Sequence, residues 1–200
     1  MTRQNRAQPD GAILAHPARG LFMGNRGCLH DAAGGIRHHH RGRRWITCLT
    51  AFKGRRRALM QPGRYTELFF LDEAVACAAG HRPCAECRRA DFQAFQAAWT
   101  RAFGGPALAD HIDRRLQAAR WQDGAPARTV AEATSLPPGA IVRHQGQDIL
   151  ITPAGARLYH PGGYRPAPSP PTGPVQVLTP APLLAVMAAG WQPAFHPSAG

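Results

Sequence analysis

The residues best suited to chemistry in this sequence are two cysteines in the segment R-P-C-A-E-C-R-R. Cys84 and Cys87 are separated by two residues and follow a proline, so a tight turn can direct both side chains at one metal ion. Zinc prefers four ligands in a tetrahedron and binds thiolate sulfurs at about 2.3 Å. The neighbouring arginines favour thiolates, because positive charge lowers a thiol pKa. The pair predicts half of a structural Zn²⁺ site; a redox pair or two unlinked buried cysteines are the other interpretations.

The remaining zinc ligands must come from other parts of the chain. Cys48 is the first choice, because the strand-like segment WITCLTAF could pack beside the turn. Cys28 and His30, in GCLHD, are the candidates for the fourth position. Cys77 lies among alanines in a predicted helix and is expected to be a small buried apolar side chain. The chain has five cysteines, and an odd number in a cytosolic chain argues against a disulfide framework.

The positive charge of the chain is concentrated in its first half. The formal net charge is +12, and residues 1–89 hold 16 Lys and Arg against 6 Asp and Glu, whereas residues 90–200 hold 8 against 6. A one-sided positive field attracts phosphate backbones and releases their counterions. Arginines beside aromatic residues also suit a groove for unpaired bases. The predicted nucleic-acid-binding residues are Asn25, Arg26, Arg43, Arg44, Lys53, Arg55, Arg56, Arg57, Arg64, Arg82 and Arg88.

Length and composition exclude several classes of protein. The chain has 200 residues, of which 44% are hydrophobic, so it can bury a core and is not a disordered tail. It contains no run of about 18 apolar residues, so we expect no membrane-spanning helix. The N-terminus lacks the apolar core of a signal peptide. We therefore expect a cytoplasmic monomer, associated with the nucleoid if it binds DNA.

The pattern of elements predicts an α+β fold in three parts. Residues 1–20 are expected to form an N-terminal arm, and residues 21–122 a basic metal-binding unit of short antiparallel strands and helices. Asp72 predicts the N-cap of a helix that ends at Gly80. A helix over residues 89–103 carries a stripe of Phe and Trp that is expected to be core. Residues 135–200 predict a β-rich subdomain with a proline-rich loop.

The stretch FFLDEAVACAAGHRPCAECRRADF resembles the zinc-binding N-terminal domain of the Ada DNA-repair family. The similarity covers about residues 45–92, and its most specific part runs from Ala78-Ala79-Gly80 through R-P-C to Cys87. The resemblance implies a small α+β fold with a four-cysteine zinc site on a DNA-facing surface, where one cysteine accepts a methyl group from a DNA phosphotriester. It carries the ligand role to Cys84 and Cys87. The family's upstream pair of cysteines is absent, and Cys48 alone stands near that position.

Three further residues are candidates for catalysis. Glu67 in YTELFFLDEA points away from Thr66 and Leu68 in a strand, and in an arginine-rich cleft it could act as a general acid or base. A plain ion pair with Arg64 or Arg82 is the other interpretation. His111 and Asp113, in ALADHID, suggest an HNH-type nuclease with a catalytic metal, or an exposed helical face.

The sequence therefore predicts a zinc-containing protein that binds nucleic acid, DNA rather than RNA, through an arginine-rich surface. A role in DNA repair or processing, with enzymatic activity, is the first interpretation. An HNH-like metal-dependent nuclease and a non-catalytic nucleic-acid-binding module are the alternatives.

Overall fold

The strands of the chain form two six-stranded sheets and one small hairpin, and a computed structural model describes residues 2–55 and 58–200. The first sheet contains β1 (Gln4–Ala7), β2 (Ile13–Ala15), β3 (Phe22–Asn25), β4 (Ile46–Leu49), β5 (Leu68–Phe70) and β6 (Arg82–Pro83). The hairpin consists of β7 (Trp121–Gln122) and β8 (Ala125–Pro126). The second sheet contains β9 (Thr129–Glu132), β10 (Ile141–His144), β11 (Gln147–Thr152), β12 (Gly155–His160), β13 (Gly163–Pro166) and β14 (Pro174–Val177).

Helices connect and cover these sheets. They are α1 (Glu73–Ala78), α2 (Arg89–Phe103), α3 (Ala109–Arg120) and α4 (Ala181–Ala188), with short 3₁₀ turns at Ala133–Ser135 and Pro197–Ala199. Strands and helices in separate segments, with a β-rich C-terminal region, confirm the predicted α+β class. Among the described residues, no helix has both the length and the apolar character needed to cross a membrane.

The first sheet has the strand order β2-β1-β5-β3-β4-β6, so the N-terminal residues belong to it. The predicted N-terminal arm over residues 1–20 was wrong in this respect. Strand β1 pairs in parallel with β5 through Arg6 and Phe69, and Ala7 on β1 is buried. The short polar segment QNRA shows no apolar alternation, so only pairing with a distant strand makes it part of the sheet.

The helices next to the cysteines form as their sequences predict. The Asp72 side chain caps α1 by accepting a hydrogen bond of 2.9 Å from the Val75 amide, which satisfies a free donor at the helix start. Helix α2 buries Phe92, Phe95 and Trp99 against α3 and α4. The aromatic stripe is therefore core, as predicted, and it fixes the helix that follows the cysteine turn.

The second sheet is antiparallel with order β13-β12-β11-β10-β14-β9, so β10 to β13 form a meander and β14 lies between β10 and β9. Its inner residues share a core with the first sheet, because Leu68 and Phe70 pack in one cluster with Ile141 and Leu150. Helix α4 of the C-terminal half packs against α2 and α3. The β-rich region therefore packs against the sheet that carries Cys48 and stabilises it.

Candidate metal centre

The parallel pairing of β4 with β6 places the cysteine turn beside Cys48. In the register, Ile46 lies opposite Arg82 and Thr47 lies opposite Pro83. The Cys84 amide then donates to the Thr47 carbonyl at 2.9 Å, which extends the pairing by one residue. Cys48 follows Thr47 on β4, so the strand that carries it and the turn that carries Cys84 are joined by backbone hydrogen bonds.

Three cysteine sulfurs meet at this point. The Sγ atoms of Cys48, Cys84 and Cys87 all lie within 4.8 Å of one another. Zinc–sulfur bonds of about 2.3 Å in a tetrahedron place the sulfurs about 3.8 Å apart, so a small adjustment of side chains accommodates an ion. The three cysteines could therefore hold a metal ion.

The turn itself favours a negative charge on one sulfur. The Glu86 amide donates to Cys84 Sγ at 3.4 Å. A hydrogen bond from the Cys48 thiol, together with the backbone amides of Cys87 and Glu86, lowers the pKa of Cys84 to about 5. The same hydrogen bond between Cys48 and Cys84 raises the pKa of Cys48. Burial raises the pKa of Cys87. In the metal-free protein, the first negative charge of the cluster therefore resides on Cys84, and metal binding must release the remaining thiol protons.

The structure does not bring the other predicted ligands to this site. Cys28 Sγ contacts the His30 carbonyl at 3.8 Å, and the two His30 ring nitrogens contact Thr66 Oγ1 at 2.6 Å and the Gln61 carbonyl at 3.2 Å. The prediction that Cys28 and His30 are metal ligands was therefore wrong, because the chain after β3 turns away from the cysteine cluster. Cys77 is fully buried in the helical core, as expected.

A cavity of about 340 Å³ opens directly on the three cysteines. All three cysteines belong to its lining, so the sulfurs face the cavity rather than closed core. Its lining also includes Asn25, Glu67, Arg55 and several apolar residues. The apolar members are Met23, Ile46, Leu49, Phe52, Leu59, Tyr65 and Phe69. An apolar cavity with a few convergent polar groups is the usual form of a small-molecule site.

Glu67 is the buried carboxylate of this cavity. It is 4% exposed, and its Oε2 accepts a hydrogen bond of 2.7 Å from the Met60 amide. Met60 has a φ of 56°, a left-handed conformation that turns the chain back toward the strand. The alternative interpretation, an ion pair of Glu67 with Arg64 or Arg82, does not explain how this carboxylate is held, since its hydrogen bond comes from the Met60 backbone amide. Glu67 therefore points into the cavity with one oxygen held in place.

Alternation along residues 65–69, of which the last two belong to β5, explains which residues line the cavity. Tyr65, Glu67 and Phe69 line it, while Thr66 and Leu68 are fully buried on the other face. A period of two is the strand's own repeat. The sequence identified Glu67 by this rule but missed Phe69, although the same alternation predicts it.

Asn25 reaches the same cavity from the neighbouring strand β3. It lies opposite Ile46 in the β3–β4 register, beside the strand that carries Cys48. The sequence predicted Asn25 as a contact for phosphate or bases, and the structure places it among the cavity residues instead of on an open basic loop.

Three of the predicted nucleic-acid-binding arginines are buried and need correction. Arg82 donates to both carboxylate oxygens of Asp113, at 2.9 and 2.8 Å, and both side chains are almost fully buried. Arg88 forms a two-point ion pair with Glu73. Arg26 is fully buried. Such buried guanidinium groups are structural and cannot meet a phosphate backbone.

The same contacts correct the predicted catalytic role of Asp113. Its carboxylate is neutralised by Arg82 in the core, so it cannot serve as a base for a solvent-borne substrate. His111 lies exposed on α3 and is not a lining residue of the cysteine cavity. Within the described part of the chain, the cysteine cluster is the one group of ligands close enough to hold a metal. The HNH arrangement is therefore not formed.

The remaining predicted cations lie at the surface. Arg43, Arg44, Lys53, Arg55 and Arg64 are exposed. Arg55 pairs with Glu86 at 2.7 Å at the rim of the cavity. Arg56 and Arg57 fall outside the described residues. A second cavity of about 510 Å³, lined in part by Arg64, shares Tyr65 and Glu67 with the first.

Comparisons with known proteins identify no relative. No protein-family model, no curated protein and no solved structure matches the chain.

Proposed function

We propose that this chain is a zinc-dependent enzyme of DNA processing, whose reaction takes place in the cavity beside Cys48, Cys84 and Cys87. One observation carries the proposal: three metal-ligating thiols and a buried carboxylate, Glu67, line one cavity. A closed structural zinc site uses four protein ligands, whereas a catalytic site uses three and leaves one position open. When bound, zinc supplies a Lewis acid at that position.

Glu67 is placed to handle protons in such a site. The Met60 amide holds one of its oxygens, and this contact fixes the direction of the carboxylate. In a hydrolytic step, Glu67 accepts a proton from the attacking water as the oxygen bonds to the substrate, and then delivers that proton to the leaving group. Asn25 can orient a polar group of the substrate from the adjacent strand.

The choice of DNA as substrate rests on charge and on the resemblance of the cysteine segment. Lys53 and Arg64 are exposed and lie in the same loop region as the cavity-lining Phe52 and Tyr65. Cations hold phosphates, and aromatic faces stack on unpaired bases. A cavity of about 340 Å³ accommodates one nucleotide unit rather than a duplex, so the substrate enters as a single strand, an end or an extruded base.

Glu67→Gln tests the catalytic half of the proposal. The amide keeps the shape of the side chain but accepts no proton, so the variant should retain one zinc per chain and lose activity by about 10²- to 10⁴-fold. In the assay, the protein is incubated with single-stranded and alkylated oligonucleotides, and the masses of the protein and of the oligonucleotide are then measured by mass spectrometry. Glu132→Gln, exposed on β9, is the matched control and should be fully active.

The same assay separates the competing functions. An altered oligonucleotide with an unchanged protein mass supports hydrolysis. A protein mass increased by one methyl group, together with an oligonucleotide that has lost one, identifies the thiolate as an acceptor, as the Ada resemblance implies. Binding without change of either partner, in wild type and Glu67→Gln alike, would identify a non-catalytic binding module and would refute the enzyme proposal.

A salt titration tests the DNA surface. Binding of single-stranded DNA should weaken with salt with a slope of about −0.7 per phosphate contact. The variant Lys53→Gln/Arg64→Gln should reduce that slope by about 1.4, whereas Arg165→Gln, an exposed arginine on β13, should leave it unchanged. A reduction of about 0.7 in Arg165→Gln, half that of the double variant, would show that the binding follows net charge and not this surface.

A further inference from the structure

The cysteine cavity has an aromatic lining that suits a flat ring. Phe52, Tyr65 and Phe69 belong to its walls, and aromatic side chains stack on the planar face of a nucleobase. The Lys53 ammonium lies 5.3 Å and the Arg55 guanidinium 5.4 Å from the centre of the Phe52 ring. Cations beside a stacking face suit a nucleotide, since the base meets the ring and the phosphate meets the charge. The part of a nucleotide that fits the interior of this cavity is therefore its planar, uncharged base.

The interior of the cavity is poorly suited to a reacting phosphate. Among the described residues that line it, the one guanidinium is that of Arg55, which is paired with Glu86 at 2.7 Å. Three thiolates around one divalent ion carry a net negative charge, and Glu67 adds a carboxylate to the same cavity. A phosphoryl group that reacts needs cations around its oxygens. This lining therefore favours a reacting group without charge.

Asn25 and Glu67 offer open hydrogen-bonding positions to such a group. The Asn25 amide lines the cavity and has no hydrogen-bond partner among the residues that the structure describes. Glu67 uses Oε2 for the Met60 amide at 2.7 Å, and Oε1 has no partner in the same part of the chain. A side-chain amide both donates and accepts, which matches the mixed donors and acceptors on the edge of a base. The two side chains can therefore hold a base edge and move a proton beside it.

Building on the proposed function, we infer that the group that reacts in this cavity is the exocyclic amine of a nucleobase of the cytosine or adenine class in single-stranded DNA. Cytosine and adenine share one chemistry, an amine on a ring carbon that is doubly bonded to a ring nitrogen. Both bases are planar and uncharged, as the lining requires. Each must leave a duplex before an enzyme can reach that carbon, which agrees with a cavity too small for two paired strands.

The reaction is a hydrolysis that exchanges the amine for an oxygen. The oxygen of a water molecule bonds to the ring carbon, and Glu67 carries one water proton to the ring nitrogen. Glu67 then carries the second proton from the new hydroxyl group to the amine, the carbon–nitrogen bond breaks, and ammonia leaves. The ring keeps a carbonyl, so cytosine becomes uracil and adenine becomes hypoxanthine without an oxidant or a reductant. Asn25 holds the base edge during the exchange.

Single-stranded oligonucleotides with one cytosine or one adenine among thymines test this reaction. The full zinc-loaded chain is incubated with each oligonucleotide, the nucleosides are separated after digestion, and the released ammonia is measured. Deoxyuridine or deoxyinosine should form in an amount equal to the ammonia. An oligonucleotide of thymine alone has no exocyclic amine and should release none. The oligonucleotide that reacts identifies which of the two bases the cavity takes.

Two variants locate the reaction in the cavity. Glu67→Gln should keep its zinc and release ammonia about 10²- to 10⁴-fold more slowly, because its amide accepts no proton. Asn25→Asp keeps the shape of the side chain but loses the amide donor, so kcat/KM should fall by about 10-fold. Gln147→Glu makes the same chemical change at an exposed position on β11 and should leave kcat/KM unchanged.

The products separate a failure of the amine chemistry from a failure of the proposed function. Strand cleavage, base loss or a lost methyl group without ammonia would overturn the amine as the reacting group and would leave an enzyme of DNA processing. An unchanged oligonucleotide in every case would overturn both. Full ammonia release by a folded Glu67→Gln would also overturn the amine chemistry in this cavity.

If Glu67→Gln does not fold, the wild-type protein decides the question. An oligonucleotide whose target base is replaced by its hydrated analogue, with a hydroxyl group on a tetrahedral reacting carbon, resembles the transition state. It should bind at least about 10²-fold more tightly than the substrate oligonucleotide does. Equal affinity for the two oligonucleotides would refute hydrolysis of the amine.

Discussion

Loss of the Asp113 carboxylate should destabilise the protein strongly, because it leaves the buried guanidinium of Arg82 without a counter-charge. Asp113 is 1% exposed and receives two hydrogen bonds from Arg82, which is 2% exposed. Removing one partner of a buried pair costs about 3–5 kcal/mol. This is a large fraction of the roughly 5–15 kcal/mol by which proteins of this kind are stable. In a chain of this length, we expect Asp113→Ala to lower Tm by about 6–20 °C.

The ion pair also connects the fold to the metal centre. Arg82 on β6 directly precedes the Pro83–Cys84 segment, and its Nη1 donates to the Pro83 carbonyl at 2.9 Å. Asp113 therefore anchors the cysteine turn to α3. We expect Asp113→Ala to release zinc to a competing chelator faster than wild type does, because a less stable turn opens more often.

Thermal unfolding of the zinc-loaded protein, followed by circular dichroism, measures the effect. Asp110→Ala is the matched control on the same helix, since Asp110 is exposed and lies 3.9 Å from Arg44; its Tm should change by about 2 °C or less. The double variant Arg82→Met/Asp113→Leu should be more stable than Asp113→Ala, because it leaves no unpaired charge. A Tm of Asp113→Ala within 2 °C of wild type, or a double variant that loses the sum of both single changes, would refute the reasoning.

Two further changes test how α1 is held. Burial raises the pKa of Asp72 to about 6, although two amides favour its charged form. The protonated Asp72 therefore contributes stability that is fully present below about pH 4 and is lost as the pH rises through about 6. Asp72→Asn should therefore gain stability relative to wild type between pH 4 and pH 7 in urea unfolding, and parallel curves would contradict this. Gly80 has a φ of +88°, and a Cβ there would lie 2.8 Å from Arg120 Cδ. Gly80→Ala should lose more than the roughly 1 kcal/mol expected at Gly42, whose φ is +85° in open space; equal losses in unfolding free energy would show that the close approach has no effect.

Local signals in the sequence predicted much of the candidate metal centre. The Pro-Cys-x-x-Cys turn, the Asp72 cap and the alternation along residues 65–69 are each set by neighbouring residues, and the structure places them as the sequence indicated. The proximity of Cys48 depends on the β4–β6 pairing. The sequence favoured this cysteine because it lies in a strand, but the register itself becomes visible only in the fold.

Composition could not separate surface arginines from buried ones. Arg82 and Arg88 lie within the same basic run as exposed Arg89, yet their partners Asp113 and Glu73 come from other elements. A charge run alone therefore overestimates the binding surface. The prediction of an N-terminal arm over residues 1–20 was wrong for a related reason: the pairing of β1 with β5 joins residues that are far apart in the chain.

Zinc content and coordination test the central claim most directly. Metal analysis with X-ray absorption should find one zinc per wild-type chain, bound by three sulfurs at about 2.3 Å and one lighter atom. Cys48→Ser should lose one sulfur from that shell, while Cys28→Ser should keep all three. Four sulfurs around the metal, an unchanged shell in Cys48→Ser, or no tightly held zinc would contradict an open three-cysteine centre.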